Sequence, residues 1–393
     1  MKRQHGAATK SRPRFGRAAA WVTLPAVLAM AACSTGSSKA DDQSAHKHSS
    51  APPAAALRDG ERFQTVGMAK PYTPSAPNGG EDEYRCFVVD PGFTETTYLT
   101  GSQFLPQNDD IVHHAIFFRL NPDQAEAAKK LDADSPGDGY TCFSGTGIGD
   151  GGLNDWVGGW APGGVETLLS PELGVPMAPG SKLIMQIHYN LLATNGKPGS
   201  DQSSIRLRVS NQLHRPLVVS QLFAPVELPC APDESGPLCN RDAAVTDVIK
   251  RFGTEVGTVS ATLDRFCNAD GAPHPGTTQQ CTIPFPAAGT IYATNGHMHL
   301  LGRSIKIELN PGTDKAQTLL DIGNYNFDDQ TLRPLKEPVK IAPGDTLRVT
   351  CTHDASLRKQ LPALKNQPPR YVVWGDGTGD EMCVGFIIWS PTG

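Results

Sequence analysis

Little in this 393-residue chain points to a membrane span, a nucleic-acid partner or a helical fold. Its longest apolar run, Ala18 to Ala32, is too short and too interrupted by Pro25 to cross a bilayer as a stable helix. A basic excess is missing as well. The formal net charge is −5, and from Cys33 onward 29 Lys/Arg stand against 40 Asp/Glu, which leaves no cationic footprint for nucleic acid. Helical periodicity is scarce: only Asp123 to Leu131 and Arg241 to Phe252 read as short helices, and no internal repeat can be aligned. Free thiols are not expected either. Setting Cys33 aside leaves Cys86, Cys142, Cys230, Cys239, Cys267, Cys281, Cys351 and Cys383, and an even count in an exported chain favours four disulfides.

Export is read from the N-terminus. Six Lys/Arg and no Asp/Glu in residues 1–32, followed by the apolar run, form a secretory n-region and h-region. The run ends in Met30-Ala31-Ala32-Cys33, which resembles a bacterial lipobox whose cysteine becomes the lipidated first residue; a plain signal peptide is the alternative. The expected mature protein is therefore extracytoplasmic, held to the cell membrane by a lipid on Cys33 or else secreted. Residues 33–60, rich in Ser, Ala, Pro and His, read as a flexible tether in which His46 and His48 are solvated linker residues.

Beyond the tether, short β-branched and aromatic runs bounded by Gly, Pro and Asn recur: IVHHAIFF, KLIMQIHYN, SIRLRVS, RSIKIEL, DTLRVTCT and VGFIIW. This pattern predicts an all-β fold of antiparallel sandwiches. The length allows two domains, with a hand-over near HRPLVVSQLFAP, giving 61–214 and 215–393. Residues 225–289 carry four of the eight cysteines amid much Asp, Gly and Pro, and read as a disulfide-stapled insertion in the second domain.

Three histidine segments and one methionine carry ligand chemistry. His297 and His299 of NGHMHLLG stand two apart, so a strand would place both on one face with Met298 pointing away. The adjacent pair His113-His114 can reach one ion only where the strand twists, bulges or ends. His188 lies in an apolar alternating strand, where a core histidine is the bland alternative. Met382 follows an acidic, Gly-rich approach, GDGTGDEM, that reads as an exposed loop, an odd place for an apolar thioether. Imidazoles suit copper or zinc, and a thioether suits Cu(I) above all. His214, His274 and His353 lack such context.

The ordered set HH, QIHYN, H-x-H-L-L-G and DEMC, with flanking matches at Cys86, GGWAPG and Cys351, resembles the copper type II, ascorbate-dependent monooxygenases. This is the family of peptidylglycine α-hydroxylating monooxygenase and dopamine β-monooxygenase, and the resemblance covers residues 84–390. It implies two coppers per chain: one on His113, His114 and His188 of the first domain, the other on His297, His299 and Met382 of the second. It further implies two jelly-roll-like sandwiches with an open, water-filled copper cleft between them. The activity implied is C–H hydroxylation with O2 and ascorbate or a similar reductant, with the His297, His299 and Met382 site as the catalytic one. Bridges Cys86–Cys142 and Cys351–Cys383 also follow from the resemblance. The other four cysteines allow three connectivities, of which the local pairs Cys230–Cys239 and Cys267–Cys281 are favoured.

One departure bears on substrate. Where the peptide-hydroxylating branch has an Arg before the H-x-H and an Asn and a Tyr after the Met, this chain has Asn295, Val384 and Phe386. The cationic fork for a carboxylate is missing, so a small neutral or aromatic substrate is expected, unless Arg303 or Arg333 supplies the cation. Competing readings are a non-catalytic copper-storage lipoprotein, a zinc hydrolase, which gives Met382 no task, and a structural sandwich with bystander histidines.

Overall fold

Alternating apolar and polar residues require sheets, and the chain forms antiparallel ladders almost throughout. The computed structural model describes residues 53–392 apart from 78–79, 144, 150–154, 163, 192–193, 195–197 and 328. The leader 1–32, Cys33, His46 and His48 lie outside the described residues.

Residues 61–216 form two sheets. One runs Glu61–Gly67, Ser204–Ser210, Thr97–Leu105, Leu173–Met177, Arg215–Pro216, with Thr167–Leu168 paired to its third strand. The other runs Tyr140–Thr141, Asp82–Val89, Lys182–Asn190, Val112–Leu120, Trp156–Trp160. Residues 218–391 form two four-stranded sheets and a two-stranded ribbon of Glu227–Leu228 with Val372–Val373. Val218–Phe223, Val384–Pro391, Gly289–His297 and Arg333–Ile341 make one; Thr278–Pro284, Thr346–His353, Gly302–Leu309 and Gln317–Ile322 make the other. Among the described residues no strand of the first half pairs with one of the second. The buried core, by contrast, is continuous: Phe117, Met185 and Leu207 share a cluster with Ile305, Val349 and Ile387.

The sheet containing Lys182–Asn190 is buried on both faces, and this decides where its histidine points. Leu183, Met185 and Ile187 join the main core, while Ile184 packs with Cys86, Phe118, Leu120 and Cys142 on the opposite side. By strand alternation His188 shares the face of Ile184 and Gln186. There Gln186 donates to the Cys142 and Gly145 carbonyls. All four expected disulfides are formed: Cys86–Cys142, Cys230–Cys239, Cys267–Cys281 and Cys351–Cys383.

The helices differ from expectation. Ala125–Asp134 follows a short 3-10 turn over Pro122–Gln124, and Arg241–Phe252 stands as read, capped by the Asn240 side chain accepting from Ala243 N–H. A third helix, Thr254–Cys267, was not expected. Its Thr and Val content resembles a strand and Gly257 breaks its pattern. Tertiary packing decides otherwise: a Cβ on Gly257 would lie 2.1 Å from Ile249 Cγ1, so the missing side chain lets the two helices touch. Gly253, at φ 97°, makes the turn between them. A four-residue helix at Leu357–Gln360 was also not foreseen.

Candidate metal centre

The three first-half histidines converge because the ladder between Val112–Leu120 and Lys182–Asn190 is irregular at one place. Val112 pairs with Tyr189 and His114 with His188, so His113 is an extra residue in a bulge. This is the distortion that adjacent histidines need in order to face one point. The Nδ1 atoms of His113 and His114 lie 3.2 Å apart, and those of His114 and His188 3.3 Å. Nitrogens about 2.0 Å from an ion in a near-tetrahedral array stand about 3.3 Å apart, so the spacing fits a bound metal.

Protonation also fits. Burial first, and the neighbouring His188 next, hold His113 and His114 well below the usual imidazole value, in the neutral state that a metal requires. His188 Nε2 lies 2.8 Å from Asp82 Oδ1. Burial alone would raise Asp82, but His188 and then Thr378 hold it below the usual carboxylate value. The ionised carboxylate keeps the proton on Nε2 and leaves the Nδ1 lone pair for the ion. Tyr84 stacks on the same ring at 4.2 Å between centroids. Changing Asp82 to Asn should therefore weaken copper binding at the three-histidine set about 10–100-fold, read by competition with a chromophoric chelator. Unchanged affinity would reduce Asp82 to a bolt for Thr378.

His297 ends the strand Gly289–His297 opposite Val384. Continuing that register sets His299 opposite Met382 and puts all three side chains on one sheet face. Met298 points the other way and is fully buried, and its backbone N–H and C=O both bond to the Tyr325 hydroxyl. Each ring is held through Nδ1: His297 by Gln330 Oε1 at 2.5 Å and His299 by the Asp380 carbonyl at 3.2 Å. The Nε2 atoms remain for an ion, the reverse of the first set. Burial, then His299, push His297 down to about 3, against the pull of Gln330.

Met382 sits between two fixed residues. Cys383 is bridged to Cys351, and the fully buried Glu381 accepts from the His299 and Leu301 N–H groups, with His353 Nε2 at 3.4 Å. The approach to Met382 is not the exposed loop expected. Asp376, Thr378, Asp380 and Glu381 are all buried, because partners distant in sequence absorb their polarity. Asp380 takes both guanidinium nitrogens of Arg251 at 2.6 and 2.7 Å and one of Arg370. Thr378 bonds to Asp82, and the Asp376 carbonyl accepts from Tyr84. His353, read as a bystander, is buried in this network; His214 is half-buried and bonded to Pro171, and His274 is exposed and bonded to Asp270.

His114 and His297 bring the two groups of residues close together. Ring centroids of His114 and His297 lie 6.0 Å apart, and Phe327 stacks on His113 at 4.4 Å while lying 6.2 Å from His299. Beside them a cavity of about 740 Å³ is lined by His114, His297 and Met382, and by Asn295, Val384 and Phe386. Among the described residues no Lys or Arg lines it. Arg303 is held by Asp354 and Arg333 by Asp329, and neither is among the residues that line the cavity.

The depressed imidazoles carry a pH consequence. A histidine whose folded value lies below 6.5 adds stability that is complete above 6.5 and is lost as pH falls toward the folded value. For His297 the window runs from 6.5 down to about 3. Between pH 7 and 5 this one group should cost the metal-free protein about 2 kcal/mol. Calorimetry should show a falling melting temperature over that range, smaller in a His297→Gln variant; a flat profile would contradict the assignment.

Fold and site together define a mostly β protein with one convergent histidine triad and an apolar cavity that His114, His297 and Met382 line. Residues 274–392 match the family model "Copper type II ascorbate-dependent monooxygenase, C-terminal domain", which ties this part of the chain to that family. Similar proteins include a tyramine beta-hydroxylase of Caenorhabditis briggsae, 33% identical over 28% of this chain and 18% of that protein. The dopamine beta-hydroxylase of Bos taurus is 30% identical over 29% and 17%, and that of Rattus norvegicus 25% identical over 59% and 32%. The matches thus span a third or less of these relatives' length. Among solved structures, the fucolectin of Morone saxatilis, at TM-score 0.17 and 8% identity over 85% of this chain and 97% of that one, is too dissimilar to inform the fold.

Proposed function

We propose that this chain is a copper-dependent monooxygenase that hydroxylates a C–H bond of an uncharged organic substrate with O2 and ascorbate or a similar reductant. His113, His114 and His188 would hold one copper through Nδ1; His297, His299 and Met382 would hold a second. The observation that carries the reading is the convergence of His113, His114 and His188 beside a cavity lined by His114, His297 and Met382.

Copper, when bound, supplies the one-electron redox chemistry and the reaction with O2. The chain's own residues set the rest. Asp82, Gln330 and the Asp380 carbonyl each engage one nitrogen of His188, His297 and His299 and leave the other for a metal. Met382 offers a soft donor that favours the reduced ion. The apolar lining of the cavity would orient an uncharged substrate. The matched relatives are named for hydroxylating tyramine and dopamine, and the same reaction type with another substrate is proposed here.

The four disulfides indicate an oxidising, extracytoplasmic compartment. No helix among the described residues is long and apolar enough to cross a membrane. Bacterial lipidation at Cys33, and domains at 61–214 and 215–393, complete the proposal. The test is O2 uptake by copper-loaded protein with ascorbate, over a panel of amines, phenethyl compounds and acyl-glycines. Uptake coupled to hydroxylation of a neutral substrate is expected. Copper binding with uptake indifferent to every substrate would favour the storage reading instead.

A further inference from the structure

The cysteine-framed segment does more than decorate the second half. Its helix Thr254–Cys267 has two working faces. Val256, Gly257, Ser260 and Asp264 are buried on the first, where Ser260 and Asp264 join a network with Glu227 and Arg241. Thr258, Val259, Thr262 and Leu263, at i, i+1, i+4 and i+5, form the adjacent face, and all four line the cavity that reaches Met382 and His297. The threonines add little polarity. Thr258 Oγ1 donates to the Glu255 carbonyl and Thr262 Oγ1 to the Thr258 carbonyl, so both hydroxyls are satisfied by the helix itself.

This wall is fixed to the metal-ligand loop. Cys267–Cys281 ties the helix end to the strand Thr278–Pro284, and Arg251, on the preceding helix, grips Asp380 two residues before Met382. At the other side, Val165 and Leu168 line the cavity while remaining 58% and 44% exposed, so apolar surface continues to the solvent. Of the two lining carboxylates, Glu166 is paired with Arg208 and Asp376 is buried. A volume of about 740 Å³ lies within the range of sites that enclose a drug-sized ligand, about 300–1,000 Å³, and well above the need of one aromatic ring.

We infer that the helix Thr254–Cys267 is the specificity wall of this cavity, and that it selects an uncharged, apolar substrate body larger than a single ring. The inference rests on the monooxygenase reading for the reaction but not for the binding, so binding is what the experiment measures. The full chain is titrated at neutral pH with naphthol, phenol and naphthoate, followed by fluorescence, alongside the variants Val259→Trp and Thr262→Trp. Naphthol should bind saturably, with phenol and naphthoate each about tenfold weaker or more, and each Trp should weaken naphthol at least about tenfold while copper content and melting temperature hold. If Val259→Trp fails to fold, Thr262→Trp decides, because the parent threonine is exposed. Equal affinity for naphthol and naphthoate, or naphthol binding unmoved by Thr262→Trp, overturns the inference. A lack of substrate-coupled O2 uptake would instead sink the proposed function and leave this titration standing.

Discussion

Replacing Met382 by alanine should abolish substrate hydroxylation while leaving one copper per chain bound at the three-histidine set. The two sets share no protein ligand, and the residues that orient them differ: Asp82 for the first, Gln330 and Asp380 for the second. Loss of the thioether removes a donor that only the reduced ion strongly prefers, so Cu(I) affinity at the second set should fall more than Cu(II) affinity. The substitution is also structurally mild. Met382 is half-buried at the cavity surface, and its neighbours Glu381 and Cys383 are held by their own partners. A melting temperature close to that of the parent is therefore expected, which separates loss of chemistry from loss of fold. A variant that still couples ascorbate oxidation to hydroxylation at the parent rate would remove Met382 from the site.

How far the sequence foretold this site depends on how local each signal is. Adjacent histidines in a strand demand a bulge, and the bulge is there at His113. An H-x-H demands a shared face with the middle residue turned away, and Met298 is fully buried on the other side. Three carboxylates were not legible. Asp380 and Glu381 stand in a stretch that reads as an exposed loop, and nothing in the sequence marks Asp82, because the partners that bury them come from far along the chain: Thr378 for Asp82, Arg251 for Asp380, and His299, Leu301 and His353 for Glu381. A Gly-rich acidic stretch resembles a solvated loop until those partners are known. Gln330 and Phe327 were missed for the same reason, since nothing beside them in sequence marks contact with His297 and His113. The helix Thr254–Cys267 was missed because a β-branched composition and one glycine obscured its period, whereas in the fold that glycine lets it pack against Ile249.

The largest structural effect is expected from Arg251→Met. Burial alone would raise Asp380, and Arg251 and then Arg370 hold it below the usual carboxylate value. Its side chain is only 2% exposed, so losing the bidentate partner leaves a buried carboxylate on Arg370 alone. Breaking a buried pair from one side costs on the order of 3 kcal/mol, more than the pair itself contributes. The sign with pH follows from the depressed value. The stabilisation is present above the ordinary carboxylate value, near 4, and is lost as pH falls through the folded one, so parent and variant should differ most near neutrality and converge in acid. A local effect should accompany the global one. The Asp380 carbonyl holds His299 Nδ1, so a relaxed loop should loosen that ring and weaken copper at the second set about 10–100-fold, with the three-histidine set less affected. Chemical denaturation at pH 7 and near pH 2, with copper titrations of each set at neutral pH, reads both effects. Equal stability of parent and variant at neutral pH would mean that Arg370 suffices for Asp380, and that the helical segment does not hold the Met382 loop through Arg251.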